Sequence, residues 1–327
     1  MITLPNIDSK IWNLEDKVLE IFQAMQTNQQ VKICLNQEGP CAESLGLYSL
    51  LDKLCARLDF AKHNISILTR NQLESHGEYT INKTPLYVAE TQTFIKNNQH
   101  LLHEKTFNDQ FNSFGLFIGR SNFLRLWLGA EVFDNYRDQS LITFHYDKAV
   151  DFHREHLGFD QLMTRAPSID LIQKTTNLIK QAPLKLDDQI EQYPLLSPAH
   201  LGIFKLYHKF FVEIVCETYF TGNTFFPTEK IWRPIVLKTP FIIQGPVDYY
   251  KNLKKIGFKT FNSYWDEGFS EDPYDYQPVE ILQVLDKLGR MTTKELQSMY
   301  HDMAPIIEHN YNTFMNLKKN DFRKIFP

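Results

Sequence analysis

The stretch KFFVEIVCETYFTGNTFFPTEKIWRPIVLKTPFIIQGPVDYYKNLKKIGFKTF, Lys209 to Phe261, decides how the chain is read. Phe210 to Val215 is apolar and β-branched, the composition of a strand buried on both faces. A polar turn, Thr221-Gly222-Asn223, follows it. Thr228 is a good N-cap, so a helix is expected over Glu229 to Leu237. Phe241 to Ile243 reads as a second strand, ended by Gly245-Pro246. Asp248 to Ile256 reads as a helix stopped by Gly257, and Phe258 to Phe261 as a third strand. Strand, helix, strand, helix, strand is the order of a parallel α/β sheet, which binds ligands beyond the carboxyl ends of its strands.

Thr228-Glu229-Lys230 lies at the centre of that stretch. A helix start just after a strand offers free N–H groups and a dipole that favour an anion. A Lys there adds a mobile positive charge suited to phosphate, and a Glu accepts the two hydroxyls of a ribose. Pro234 breaks a local rule, because inside a helix it removes a hydrogen bond and presses on the carbonyl of Lys230, at roughly 3 kcal/mol. Such violations often mark functional sites. The other reading is an ordinary surface helix with an adjacent ion pair.

The run FFPTEKIWRPIVLKTPFIIQG, continued by LKKIGFKTFNSYWDEGF, resembles the donor-binding region of GT-B glycosyltransferases, in particular the exostosin-like transferases of viruses and bacteria. Its TEK core is similar to that of family 10 fucosyltransferases. The resemblance implies that Glu229 holds the donor ribose and Lys230 the diphosphate. A second run, FGLFIGRSNFLRLWLGAEVF, resembles the strand, Gly-Arg turn and helix that open a donor domain, with Arg120 and Arg125 in the basic positions. The likeness covers patches of residues 112–290.

Outside those patches, composition and pattern bound the answer. A length of 327 residues predicts two domains. A net charge of −4 does not indicate a general affinity for nucleic acid, and leaves a local basic patch open. Met1 to Asp8 lacks a basic start followed by an apolar core, and no apolar run reaches the ~18 residues of a membrane span. Cys34, Cys41, Cys55 and Cys216 have no CxxC spacing and are expected to be reduced thiols, so the expected location is the cytoplasm, the host's if the chain is viral. His153 and His156 are spaced to share a helix face, but no further ligand cluster accompanies them.

An amphipathic helix is expected over 10–30, strands over Val31 to Leu35 and Ile65 to Thr69, and a helix over Ala42 to Leu58. Pro85 to Ala89 reads as a further strand. That places Glu38 and Glu90 at strand carboxyl ends. Further strands are expected at Phe114 to Ile118 and Leu141 to Phe144. Helices are expected from Asn122, from Ser168, over Val279 to Leu288, and from Thr292 or Thr293 toward Met315. The expected fold class is α/β, with two Rossmann-like domains facing across a cleft in the GT-B manner. Residues 1–111 form the acceptor-side domain. Residues 112–290 form the donor-binding domain, with a helical insertion at about 147–205, and 291–327 form a C-terminal helix that crosses back to the first domain.

The expected function is metal-independent glycosyl transfer from a nucleotide-diphosphate sugar to a hydroxyl of a glycan, a protein or a modified DNA base, with no cofactor. Negative charge grows on the leaving diphosphate, and a metal or fixed positive groups must stabilise it. Asp187-Asp188 are adjacent, and Asp272 and Asp275 flank two residues, so neither makes a DxD pair. The donor-binding candidates are therefore Arg120, Arg125, Glu217, Thr228, Glu229 and Lys230. For an inverting enzyme the candidate base is Glu38 first and Glu90 second; each has the alternative of a solvated loop or helix-start carboxylate. A binding protein without turnover stays open, as does another α/β enzyme on the same anion site. The absence of GxxxxGK[ST] and GxGxxG weighs against a P-loop kinase and a nicotinamide oxidoreductase.

Overall fold

The computed structural model describes residues 1–4, 14–35, 39–85, 87–119, 122–144, 162–186, 201–220, 222–270 and 277–326. The chain is α/β and divides into two compact units. The first comprises 1–86, 218–227 and 318–327; the second comprises 87–217 and 228–317.

The first unit is built on four parallel strands in the order of the chain: β1 (Ile2–Thr3), β2 (Val31–Cys34), β3 (Ile65–Thr69) and β4 (Thr80–Lys83). Helices α1 (Leu14–Thr27) and α2 (Leu47–Leu58) pack on it around Ile21, Ile33, Leu51, Ile65 and Ile67. Asp59, in the left-handed region, ends α2. The edge strand β4 alternates between exposed and half-buried residues, and carries almost no apolar signal. The expected strand at Pro85 to Ala89 is not formed. Tyr87 turns the chain through a positive φ of 60°, and α3 (Val88–Asn97) begins at once.

The same segment moves the domain boundary from 111 to 86. On α3, the Gln92 amide donates to the carbonyls of Phe314 and Leu317 at 2.6 and 2.9 Å, which ties α3 to the second unit. Residues 218–227 belong instead to the first unit, where the Asn71 side chain holds them in both directions. Its amide donates to the Asn223 carbonyl at 2.9 Å, and its oxygen accepts from Phe225 N at 2.9 Å. Phe225 also packs against Phe326 of the C-terminal segment, 5.4 Å between rings.

The second unit contains β5 (Asn112–Ile118), α4 (Phe123–Asn135), β6 (Ser140–Phe144), α5 (Ile169–Gln181) and the short α6 (Leu201–Phe204). It continues with β7 (Phe210–Cys216), α7 (Glu229–Val236), β8 (Phe241–Gln244), α8 (Tyr249–Lys255), α9 (Gln277–Gly289) and α10 (Thr293–Asn316); α11 (Lys319–Ile325) then closes the chain in the first unit. The four strands are parallel, in the order β6-β5-β7-β8. All seven residues of β7 are buried, as expected of a central parallel strand. Helix α4 is buried around nearly its whole circumference, and Gly129 lets it lie close to Ile118 of β5, where a Cβ would approach the Ile118 side chain to 3.0 Å. Of the insertion expected at about 147–205, residues 162–186 and 201–205 are described, and they contain α5, capped by Ser168, and α6.

Phe258 to Phe261 is not a strand. The side chain of Asn310, on α10, takes up the N–H and C=O of Lys259, both at 2.8 Å, and the Glu267 carboxylate accepts from Phe261 N at 2.8 Å. These backbone groups are satisfied by side chains instead of a ladder, so β8 remains the sheet edge. Among the described residues no helix is long and apolar enough to cross a membrane. The four cysteines are buried and form no disulfide.

Candidate functional site

In the second sheet the chain runs outward from β5 to β6 and then returns to the other side of β5 as β7. The order reverses between β5 and β7, and that is the topological switch point at which open α/β sheets bind ligands, beyond the strand carboxyl ends. Glu217 follows β7 directly, and Thr228 caps α7. The Thr228 side chain accepts from Lys230 N at 3.3 Å, which fixes the helix start.

These residues form one connected network. The Thr228 hydroxyl donates to Glu217 Oε2 at 3.0 Å, and the Tyr249 hydroxyl donates to Glu217 Oε1 at 2.7 Å. Lys230 Nζ lies 2.9 Å from Glu229 Oε1 and 3.3 Å from Thr228 Oγ1. The Glu229 side chain is only 4% exposed and that of Lys230 16%, so this is not the solvated surface pair of the alternative reading. Burial pushes the Glu217 carboxyl above the usual carboxylate range. Nearby Lys230 and the hydrogen bonds from Tyr249 and Thr228 pull it down by less. Burial, together with Glu217, holds the Tyr249 hydroxyl in its protonated form well above the usual phenol range. Both partners of Glu217 therefore remain donors at neutral pH.

Arg125 lies in the first turn of α4. Its guanidinium is buried in α4 and donates to the carbonyl of Cys216, the last residue of β7, at 2.9 Å. It lends positive charge to the floor of the switch point and ties α4 to β7. The Cys216 thiol beside it is pushed up to about 12 by burial. Arg120, the other basic candidate, lies outside the described residues, as do Glu38, His153, His156, Asp187, Asp188, Asp272 and Asp275.

Glu90 is not at a strand end. It is exposed in the first turn of α3, and falls in the second unit instead of the first. The described carboxylate that does follow a strand of the first sheet is Glu74, just after β3. It is buried and already engaged, accepting from Tyr48 Oη at 2.7 Å, Ala42 N at 2.9 Å and Asn71 Nδ2 at 3.3 Å. It reads as a structural clasp of the first unit.

The structure thus brings Glu217, Thr228, Glu229 and Lys230 together, turns Arg125 onto the Cys216 carbonyl, and leaves Glu90 away from any strand end. Sequence reasoning missed Tyr249. Its signal was a Tyr in a buried helix, because a buried hydroxyl of that kind requires a partner. Among the described residues no group of three or more His, Cys, Asp or Glu side chains is placed to hold a metal ion. Comparison with protein-family models, with curated proteins and with solved structures returns no match to this chain.

Proposed function

We propose that the chain is a nucleotide-sugar-dependent glycosyltransferase of the GT-B type, with the donor's nucleotide held by the second unit. The observation that carries this reading is the Thr228-Glu229-Lys230 turn, linked to Glu217 at the carboxyl end of β7, beside the switch point. Lys230 and the N–H groups at the start of α7 receive the diphosphate, and Glu229 accepts the ribose hydroxyls. As the bond from the sugar to the diphosphate breaks, charge grows on the diphosphate oxygens. Fixed positive groups stabilise that charge without reorganising. The acceptor is a hydroxyl of a glycan, a protein or a hydroxylated DNA base.

A thermal-shift screen against nucleoside diphosphates and their sugar conjugates tests the reading. A ligand at a hundred times its Kd stabilises the folded chain by about 2.7 kcal/mol, a clear upward shift in Tm. No shift with any nucleotide or nucleotide sugar would remove the reading. Turnover is expected to survive EDTA, since the sequence carries no DxD pair and Lys230 stands at the proposed diphosphate position. Loss on chelation with recovery on adding manganese would contradict metal independence. A second reading is a nucleotide- or sugar-binding protein without turnover. Donor binding without donor hydrolysis or transfer would select it.

A further inference from the structure

Lys230 is held by Glu229 at 2.9 Å, and both side chains are largely withdrawn from water. A bare phosphate or pyrophosphate that takes Lys230 leaves the Glu229 carboxylate buried, unpaired and close to a second anion. Uncompensated buried charge is costly, and like charges side by side add to the cost. A nucleoside diphosphate avoids that outcome, because its phosphates replace Glu229 on Lys230 while its ribose brings two hydroxyl donors for the released carboxylate. The Thr228 hydroxyl donates to Glu217 at 3.0 Å and accepts from the Lys230 ammonium at 3.3 Å.

We infer that the Glu229–Lys230 pair is a mask that selects ligands carrying both a diphosphate and a ribose diol, and rejects free phosphates. This inference rests on the donor-binding reading of the site, and it adds to it a reason why inorganic phosphate and pyrophosphate do not occupy the site. Among the described residues, the other charged groups near the pair include Glu217 at the end of β7, reached through Thr228, and Arg233 further along α7, which feels the Glu229 charge but is bound to Glu213 at 2.8 Å. Glu217 is engaged by Thr228 at 3.0 Å and Tyr249 at 2.7 Å, and Arg233 is a cation, so neither takes the place of Glu229 at 2.9 Å from Lys230 Nζ.

The test is a pair of titrations on the full chain, with inorganic pyrophosphate as one probe and a panel of UDP, GDP, ADP and CDP with their 2′-deoxy forms as the other. Glu229→Gln is expected to tighten pyrophosphate by about three- to tenfold, because the competitor for Lys230 is gone. The same variant is expected to weaken the preferred nucleoside diphosphate by about ten- to a hundredfold and to bring its ribo-to-deoxy preference close to one. Glu229→Asp keeps the charge but shortens its reach, and is expected to move pyrophosphate in the same direction. Adding Lys230→Gln is expected to abolish the gain. Circular dichroism and cooperative unfolding report whether each variant is folded. Pyrophosphate binding that is unchanged or weaker in the folded Glu229 variants overturns the mask, as does a gain that persists without Lys230. Failure of the wild-type chain to bind any nucleoside diphosphate instead removes the donor reading, and the pyrophosphate arm still decides whether Glu229 shields Lys230.

Discussion

Replacing Arg233 by Met is expected to cost about 3–5 kcal/mol of folding stability at pH 8, because it strands a buried carboxylate without its cation. Arg233 lies on α7, one turn beyond Lys230, and its Nη2 is 2.8 Å from Glu213 Oε1 in the middle of β7. Glu213 is completely buried, and its other oxygen accepts from the Tyr207 hydroxyl at 2.6 Å. Lys105, half-buried, donates to the carbonyls of Tyr207 and Phe210 and to Thr239 Oγ1, at 2.7, 2.5 and 2.9 Å, and adds a weaker attraction for Glu213. Burial raises the Glu213 carboxyl above its usual range even with Arg233 beside it. Without Arg233 the carboxyl rises further. The sign follows: a carboxyl raised in the folded state contributes stability at low pH and loses it as pH climbs through its folded value. The Met variant is therefore expected to be closest to wild type near pH 5 and to fall away toward pH 8. The double variant Glu213→Leu with Arg233→Met removes the orphaned charge and is expected to recover most of the loss, leaving a Tyr207 hydroxyl to find a new partner at about 1 kcal/mol. Urea unfolding of both variants at the two pH values checks this. A single-variant loss below about 1 kcal/mol, or a double variant no better than the single, would show that the pair does not hold α7 on the sheet.

The features legible in the sequence are those that local physics determines. The caps at Asn122, Ser168, Thr228 and Thr292 are legible because each side chain bonds a backbone N–H two or three residues on. The strands Ile65–Thr69 and Phe210–Cys216 are legible because their apolar runs are short and bounded by polar turns. Pro85 to Ala89 and Phe258 to Phe261 carry similar signals and are not strands, for reasons located elsewhere in the chain. Gln92 binds α3 to carbonyls more than two hundred residues away, and Asn310 takes the backbone of Lys259. The return of 218–227 to the first unit depends on Asn71, again a contact no local pattern announces. At the site, Glu217 and Thr228 are legible as a strand end and a helix cap. That their side chains touch, with Tyr249 completing the set, follows only from the β6-β5-β7-β8 order. Arg125 was legible as a cation near the first turn of α4, but its burial against the Cys216 carbonyl was not.

Under the proposed glycosyl transfer, Lys230→Ala is expected to lower the rate by about 10²–10³, the effect of removing one preorganised donor from a developing anion, roughly 2.7–4 kcal/mol of barrier. The loss should appear mainly in kcat, because charge on the diphosphate grows as the bond to the sugar breaks, and a group matched to that growth acts more strongly in the transition state than in the bound donor. Glu229→Gln provides the contrast. Ribose contacts are alike in ground and transition state, so its loss should appear as weaker donor binding, with turnover at saturation nearly intact. Lys230→Arg is not expected to restore activity. Nζ sits between Thr228 Oγ1 at 3.3 Å and Glu229 Oε1 at 2.9 Å, a space for a compact ammonium, and the guanidinium fork is larger and differently directed. If the pair served only to hold the start of α7, both variants would lose stability in proportion to a half-buried ion pair and keep wild-type kinetics when folded. Steady-state kinetics at saturating donor, with donor affinity measured separately, distinguish the two roles. A folded Lys230→Ala variant with unchanged kcat would leave the diphosphate without its assigned partner, and the functional reading would then have to rest on residues other than the Thr228-Glu229-Lys230 turn.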